Sequence, residues 1–452
     1  MEICPVCNLA VSPEQVLPPQ SVDESTRRLL AVNARGWDPE KGICESCLAH
    51  MKRAAAELAA RFPEFDAQKL KILPTPLRLN APDEFRGRGV TIAFLDSGFY
   101  AHPDLTQPNN RILSYVNLAG QGPSDLSKPD VSSWHGMMTS VVGAGNGFLS
   151  GGLYRGIASE AELVLIKVGS ASRVRHEDIA LGLSWVIDNR ERFNIRIVNI
   201  STGGDYEASY LEDPLSRVAE DAARAGIVVV AAAGNAGDRD THPVLPPASA
   251  PSVITVGGLD DRNTLDLSDN LMYHSSYGPT INGLQKPEVI APGIWLAAPI
   301  LPGTVTAEQA ALLSALEAAG DSDLKAIIKS RPGIDAELDH AADLEPYLIR
   351  HLAWIKERDN NVISGNYKHV DGTSFAAPIV SSVAAQMLEA NPALKPHQVK
   401  LALIRTAVRL PNVDVDKQGW GMVSPQAAVQ AALATSGGAV KDSRDFLAPA
   451  IV

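Results

Sequence analysis

Three short stretches of the chain carry side chains that could perform nucleophilic chemistry together. The sequence GTSFAAP at 372–378 places Ser374 among small residues at the start of a predicted helix. An apolar run at 90–95 is followed by Asp96, and His135 opens a stretch of small residues. A serine hydroxyl is a poor nucleophile at neutral pH and needs a base within hydrogen-bond reach. Each residue alone has a simpler interpretation: Ser374 as a helix cap, Asp96 as a turn cap and His135 as a surface histidine.

Considered together, the three residues favour catalysis over those simpler roles. They occur in the chain order Asp96, His135, Ser374, and each lies at the end of a predicted element. In such a triad the histidine accepts the serine proton and later donates it to the leaving amine. The aspartate holds the imidazole in the required tautomer and stabilises its charged form. The predicted chemistry is acyl transfer with Ser374 as the nucleophile.

The residues around this triad resemble the motifs of the subtilisin-like serine proteases. The aspartate motif is matched by DSG at 96–98 with HPDL at 102–105, the histidine motif by HG at 135–136, and the serine motif by GTSFAAP at 372–378. The resemblance covers about residues 86–434. It implies a serine endopeptidase that hydrolyses peptide or protein substrates through an acyl-enzyme intermediate.

The same resemblance implies further site residues. AAAGN at 231–235 matches the oxyanion motif, so Asn235 is the implied side-chain donor to the tetrahedral intermediate, with the Ser374 backbone N–H as its partner. Asp104 matches a family calcium ligand, which makes calcium a candidate cofactor. STGG at 201–204 resembles the segment that pairs with an extended peptide. The implied substrate-binding residues are Ser201, Thr202, Gly203, Ala232, Ala233 and Gly234.

From residue 90 onward, apolar runs alternate with helical patterns, which predicts an α/β fold. Continuous apolar strands between helices are typical of a mostly parallel sheet covered by helices on both faces. The resemblance implies the subtilisin-like form of that fold, and ligand sites in such sheets lie at the carboxyl ends of strands. The predicted strands are 90–95, 163–168, 197–200, 227–232 and 252–256, and the predicted helices are 176–192, 210–225, 374–390 and 395–406.

The four cysteines of the chain lie near its N-terminus in two C-x-x-C pairs. Two such pairs can supply a tetrahedral zinc site in which backbone amides of each knuckle point at sulfur. Disulfides are the alternative, which a reducing cytosol disfavours, and His50 could replace one thiolate. We therefore predict a zinc-ribbon-like module over residues 1–62 that docks a partner or the protease core. Its predicted ligands are Cys4, Cys7, Cys44 and Cys47.

The remaining predicted regions are a linker at 63–88, a peptidase domain at 89–436 and a C-terminal tail at 437–452. The domain departs from the resemblance in two places. Met137-Met138 replaces a usual Thr-His pair after His135, so the packing beneath that histidine must differ. About 80 residues also separate Gly293 from Gly372, where relatives have a short loop.

The long segment between those glycines is predicted to hold a helical insertion at 301–365. TAEQ at 306–309 has the spacing of a helix capping box. We hypothesise that the insertion flanks the leaving-group side of the cleft as a lid or as a docking surface for a regulatory partner. Passive surface elaboration is the alternative. One face of its last predicted helix carries Leu344, Leu348, Leu352 and Ile355.

Composition limits the classes of partner. The 452 residues carry 40 basic and 52 acidic side chains, a net charge of −12, so nucleic acid and anionic membranes are not expected as partners. The chain contains no uninterrupted apolar run that approaches the length of a membrane span. The N-terminal sequence MEICPVC does not resemble a secretory signal, so we expect a cytoplasmic protein.

Two functions of other classes compete with an active protease. A catalytically silent pseudoprotease could bind peptides through the same cleft, but Asp96, His135, Ser374 and Asn235 are all present. A nucleic-acid binder with an attached protease fold would need interleaved basic and aromatic residues in the N-terminal module, which the sequence lacks.

Overall fold

The computed structural model describes the chain except for residues 1, 7–9, 24–25, 28–29, 31–37, 39, 41, 62–70, 121–124, 171–172, 266–269, 412 and 436–452. In chain order the strands are β1 (Glu2–Ile3), β2 (Ala10–Val11), β3 (Val16–Leu17), β4 (Ile43–Cys44), β5 (Thr91–Asp96), β6 (Ile112–Asn117), β7 (Glu162–Lys167), β8 (Ile195–Ile200), β9 (Val228–Ala232), β10 (Ile254–Asp260), β11 (Leu271–Met272), β12 (Val289–Pro292), β13 (Leu296–Pro299) and β14 (Tyr367–Val370).

The α-helices, also in chain order, are α1 (Glu45–Arg61), α2 (Thr75–Arg78), α3 (Pro103–Thr106), α4 (Ser133–Ala144), α5 (His176–Asn189), α6 (Pro214–Arg224), α7 (Val305–Ala318), α8 (Leu324–Lys329), α9 (Ala336–Ala341), α10 (Pro346–Asp359), α11 (Thr373–Ala390), α12 (Pro396–Thr406), α13 (Val415–Gln418) and α14 (Pro425–Ala434). Short 3-10 turns occur at Pro13–Gln15, Pro19–Ser21, Phe148–Ser150 and Asp321–Asp323.

Eight strands of the described chain form the main sheet. Their order is β11, β10, β9, β8, β5, β7, β6, and β12 also pairs with β10. All pairs are parallel except β10 with β11. The structure thus confirms the predicted α/β class with a mostly parallel sheet.

Helices cover both faces of the sheet. Successive residues of a strand point to opposite faces, so both sets of side chains are buried. In β5, Ile92 and Phe94 belong to the cluster that includes α4 and α11. Ala93 and Leu95 belong to the cluster that includes α5 and α6. The five predicted strands are all present. The sequence did not predict β6, whose six residues are only partly buried, so it lacks the continuous apolar run of the inner strands.

The described N-terminal residues up to Arg61 pack against the body that contains the main sheet. Buried residues of the module, including Cys44 and Met51, share a hydrophobic cluster with Tyr367 and the partly buried Trp295. These two aromatic residues lie on and beside an antiparallel hairpin of β13 and β14, which we call the stem. Within the predicted linker, residues 71–81 are mostly buried and include α2, so this part is less extended than predicted.

The helices α7 to α10 lie between the two strands of the stem and form a hydrophobic cluster of their own. Two sequence predictions within this insertion were wrong in detail. The N-cap of α7 is Thr304, whose hydroxyl accepts from the Ala307 N–H, two residues before the predicted cap. The buried face of α10 holds Ile349 and Ala353, whereas Leu348 in this helix and Leu344 just before it are exposed.

Candidate active site

The carboxylate of Asp96 and the imidazole of His135 form a bonded pair at the carboxyl end of the sheet. Asp96 ends β5 and is buried, and His135 lies in the first turn of α4. The His135 Nδ1 atom lies 2.8 Å and 2.9 Å from the two carboxylate oxygens. The Ser97 N–H and the Thr139 hydroxyl donate to the same carboxylate at 2.7 Å and 3.2 Å. These donors fix its orientation.

Gly136 explains why α4 can approach the Asp96 loop so closely. A Cβ at this position would lie 2.2 Å from the Gly98 carbonyl oxygen and 2.9 Å from the Asp96 Cβ. Any larger residue would therefore push the histidine helix away from the aspartate. Met137 and Met138, the unusual pair that follows, are buried in the core beneath the helix.

The His135 ring lies between aromatic neighbours. Its centroid is 5.2 Å from the Trp134 ring and 5.8 Å from the Phe375 ring, and Phe375 directly follows Ser374. Burial disfavours the charged imidazolium, but the Asp96 charge and hydrogen bond outweigh that effect and raise the pKa of His135 above its ordinary value. The pair is arranged to hold a proton on the imidazole.

Ser374 is the second residue of α11, preceded by a glycine in a conformation that other residues rarely adopt. Gly372 has φ of 136°, and its N–H donates to the Gly293 carbonyl at 2.7 Å. Backbone N–H groups in a first helical turn have no partner within the helix. The Ser374 N–H is therefore a free donor of the kind that an oxyanion requires.

Ser201 contacts Ser374 through two hydrogen bonds. The Ser374 hydroxyl donates to the Ser201 carbonyl at 3.1 Å, and the Ser201 hydroxyl donates to the Ser374 carbonyl at 2.7 Å. Pro378 stands four residues after Ser374 and has no N–H to give to that carbonyl. Ser201 supplies the missing donor.

Asn235 lies on the other side of the nucleophile loop. Its side-chain oxygen accepts from both the backbone N–H and the hydroxyl of Thr373, each at 2.9 Å. Because the oxygen is committed to Thr373, the amide nitrogen is left with its two N–H donors. The structure therefore brings the predicted oxyanion donor next to the residue that precedes Ser374.

The predicted substrate-binding residues lie at the ends of the adjacent strands β8 and β9. Ser201 to Gly203 follow β8, whereas Ala232 ends β9 and is followed by Ala233 and Gly234. The Ala233 N–H donates to the Val256 carbonyl at 2.9 Å, and the Gly234 carbonyl accepts from the Ser276 N–H at 2.9 Å. These bonds anchor the second segment, and the two together flank Ser374.

The surroundings of Asp104 do not fit a calcium ion. Its carboxylate is fully buried and accepts from the Leu149 N–H at 3.0 Å and from the Tyr367 hydroxyl at 2.7 Å. A calcium ion needs oxygen acceptors around it, whereas this carboxylate is surrounded by donors. The buried phenol of Tyr367, which the stem contributes, is one of these donors.

Three of the four predicted zinc ligands are brought together. The sulfur atoms of Cys4, Cys44 and Cys47 lie within 4.8 Å of one another and are buried. The Val6 N–H lies 3.5 Å from the Cys4 sulfur, as expected for a knuckle. Cys7 and the His50 side chain lie outside the described residues. The spacing of the three thiols fits a tetrahedral zinc site.

The sequence analysis missed two features that support the site, a hydrogen bond of Ser201 and the residue Lys167. The bond of the Ser201 hydroxyl could have been found from Pro378, since a proline four residues after Ser374 leaves the Ser374 carbonyl without its helical donor. Lys167 is a buried lysine at the end of β7 and pairs in register with Asp96. Its signal was a single charged residue within an apolar strand.

Comparison with known proteins identifies the family of this chain. The subtilase family model matches residues 87–421. The serine protease AprX of Bacillus subtilis is 32% identical over 355 residues, which is 76% of this chain and 66% of AprX. The chain therefore spans slightly less than two thirds of the length of that relative.

Two solved structures share the fold. A protease of Pseudoalteromonas arctica superposes with a TM-score of 0.54 at 23% identity, over 80% of this chain and 94% of that one. Fervidolysin of Fervidobacterium pennivorans, a keratinolytic enzyme related to subtilisin, superposes with a TM-score of 0.53 at 22% identity. The match covers 79% of this chain and 45% of fervidolysin. This chain belongs to the subtilase family, a family of serine proteases.

Among the helices in the described ranges, none is long and apolar enough to cross a membrane.

Proposed function

We propose that the chain is an active serine endopeptidase in which Ser374, His135 and Asp96 form the catalytic triad. The observation that carries the proposal is the bonded Asp96–His135 pair, placed against the helix that presents Ser374. The two donors that an oxyanion site needs, a backbone N–H and an amide side chain, stand beside it at Ser374 and Asn235. Extended peptides or unfolded protein segments are the substrates.

Catalysis begins with a rotation of the Ser374 hydroxyl from the Ser201 carbonyl toward His135. The imidazole takes the hydroxyl proton as the oxygen attacks the substrate carbonyl. The oxyanion then accepts from the Ser374 N–H and the Asn235 amide, while Asp96 stabilises the imidazolium. His135 returns the proton to the leaving amine. A water molecule, deprotonated by the same imidazole, hydrolyses the acyl-enzyme.

A peptide-binding pseudoprotease is the competing function. It would keep the cleft but show no turnover. The test is hydrolysis of an unfolded protein by the wild type and by Ser374→Ala, with folding of both checked by circular dichroism. We expect the substitution to abolish hydrolysis. Cleavage by the purified variant at the wild-type rate would overturn the assignment, and a folded but inactive wild type would favour the pseudoprotease.

We further propose that Cys4, Cys7, Cys44 and Cys47 bind one structural zinc ion. Zinc would stabilise the N-terminal module, whose described strands are only two residues long. Elemental analysis of freshly purified protein should give one zinc per chain. Protein that contains no zinc and four reactive thiols would contradict the site.

The thiol cluster also supports a cytoplasmic location. Adjacent cysteines are oxidised to disulfides in oxidising compartments and stay reduced in the cytosol. Cell fractionation with an antibody against the native protein tests the location. Recovery outside the cytoplasmic fraction, with the cysteines disulfide-bonded, would contradict it.

The insertion at 301–365 is proposed to restrict access to the leaving-group side, or to dock a regulatory partner. Two contacts support this role: β13 packs on the histidine helix, and Gly303 lies against Pro129 in the loop that precedes this helix. The test replaces 301–365 with a short Gly/Ser loop and compares a small chromogenic peptide with an unfolded protein. A lid predicts a relative gain for the larger substrate. A fixed ratio in a folded variant would reject the lid and leave partner docking or passive elaboration.

A further inference from the structure

A buried lysine joins the two loops that carry the catalytic aspartate and histidine. Lys167 ends β7 and pairs in register with Asp96 at the end of β5. Its side chain is only 2% exposed. The ammonium donates to the Ser97 carbonyl and, at 2.6 Å, to the Ser132 hydroxyl. One group therefore contacts the residue after Asp96 and the residue just before α4.

One partner of Lys167 bonds to the Asp96 carboxylate, and the other directly precedes the helix that carries His135. The Ser97 N–H donates to the Asp96 carboxylate at 2.7 Å. The Ser97 hydroxyl donates to the Ser132 carbonyl at 3.1 Å, which closes a small network between the loops. Ser132 stands three residues before His135 and donates its hydroxyl to Asp130. A movement of either partner would displace the aspartate or the histidine helix.

The charges around Lys167 fit an ammonium group. Burial lowers the pKa of the lysine, and the negative charges of Asp130 and Asp96 oppose that change. Asp130 bonds to Ser132, and Asp96 bonds to His135, so the ammonium lies between one carboxylate of each loop.

We propose that Lys167 is a positioning residue of the catalytic centre, which fixes the Asp96 loop and the start of the His135 helix against each other. This inference rests on the proposed protease function. A second consequence follows from its charge. The Asp96–His135 pair takes up a proton less easily with a cation nearby, so loss of the cation should move the acid limb of the pH–rate profile upward.

The test compares Lys167→Met with the wild type and with Lys286→Met. Lys286 is the control because it is another buried lysine, 1% exposed, whose ammonium donates to the Ala250 and Val253 carbonyls and to the Glu288 carboxylate. Its ammonium lies near the amino end of β10, whereas Asp96 lies at the carboxyl end of β5. Thermal denaturation reports the loss of stability in each variant.

The measurement is the rate of fluorophosphonate labelling and of peptide hydrolysis between pH 5 and 9. For Lys167→Met we expect kcat/KM to fall about 10- to 100-fold, mainly in kcat. The midpoint of the acid limb should shift to a higher pH by roughly 0.5 pH unit. For Lys286→Met the limb should stay in place whatever stability is lost. Lys167→Arg, which keeps the charge, should return the limb to its wild-type position.

A limb that stays in place or moves downward in Lys167→Met would overturn the inference, even with reduced activity. If Lys167→Met does not fold, Ser132→Ala removes one acceptor of the ammonium with a smaller change. It should lower kcat severalfold and leave the limb in place, and an unchanged kcat would overturn the inference. A wild type that never labels would overturn the proposed function and this inference with it. If the wild type is labelled, the proposed function stands, and the changes in Lys167→Met test the role of Lys167 alone.

Discussion

The proposed catalytic centre and the thiol cluster of Cys4, Cys44 and Cys47 both unite residues that are distant in sequence, but different interactions hold them. Asp96, Ser201 and Asn235 stand at the ends of neighbouring strands in a sheet of eight. The thiol cluster depends on pairs of two-residue strands, β1 with β2 and β3 with β4. Such short ladders cannot hold a geometry without further support. The first region is therefore specified by the fold, and we expect the second to need its metal.

The two regions meet at Tyr367 in the stem. Its ring packs in the cluster of Cys4, Cys44 and Cys47, and its hydroxyl bonds to Asp104. The same strand continues within four residues to the start of α11, which carries Ser374. The positions of Asp96, Ser201 and Asn235 thus depend on the sheet, whereas the N-terminal cysteines are connected to the core through the stem.

The largest expected difference follows metal removal. Structural zinc contributes about 10–16 kcal/mol in zinc-finger peptides, so chelation should unfold residues 2–61. The main sheet should persist because its parallel ladders do not involve the thiols. Amide hydrogen exchange followed by mass spectrometry checks both halves of this prediction. If β5 and β8 lost as much protection as the N-terminal residues, the two regions would not be separable.

Removal of the oxyanion donor should act on the catalytic centre alone. We expect Asn235→Ala to lower kcat by about 10²–10³ with little change in KM, the effect that loss of this donor has in subtilisin. Steady-state kinetics on a chromogenic peptide measures it. Zinc content and melting temperature serve as controls and should not change. An unchanged kcat would place the oxyanion site elsewhere.

Tyr367→Phe tests the contact between the regions. It removes the donor to a buried carboxylate and should cost about 1–3 kcal/mol of unfolding free energy. Tyr154→Phe is the matched control: its ring lies 5.4 Å from that of Tyr367, and its substitution leaves the Asp104 bond in place. Denaturant titration should show the larger loss in Tyr367→Phe. Equal losses would mean that the Asp104 bond contributes little.

The smallest expected effect is on the pH profile. Because the Asp96 charge raises the pKa of His135, and only the neutral imidazole can act as a base, activity should fall as the pH drops through that raised pKa. The acid limb of kcat/KM should thus lie above about 6.5, the ordinary pKa of a histidine. A limb below that value would show that the carboxylate does not stabilise the charged ring in the free enzyme.

The sequence located the strand ends that meet at the candidate site because the signals for them are local. Apolar runs located β5, β8 and β9, and the residues that follow each run meet at one edge of a parallel sheet. Ser374 was assigned from its motif together with the chain order of Asp96, His135 and Ser374. The bonds that orient these groups, such as the one between Ser201 and the Ser374 carbonyl, depend on pairing across the fold.

The stem and the insertion were harder to predict because tertiary contacts decide them. Leu344 and Leu348 have helical spacing, yet α10 turns Ile349 and Ala353 toward the insertion core. The same helix buries Glu357, which is paired with Lys71 at 2.9 Å. A charged residue on a buried face cannot be recognised without its partner.

The most direct test of the protease assignment is the site of covalent modification by a fluorophosphonate. The native protein is labelled at pH 8, and the adduct is located by peptide mass spectrometry. We predict a single adduct on Ser374, which is absent after heat denaturation and absent in His135→Ala. An adduct on another residue, or a folded protein that stays unlabelled, would contradict the assignment of Asp96, His135 and Ser374 as a working triad.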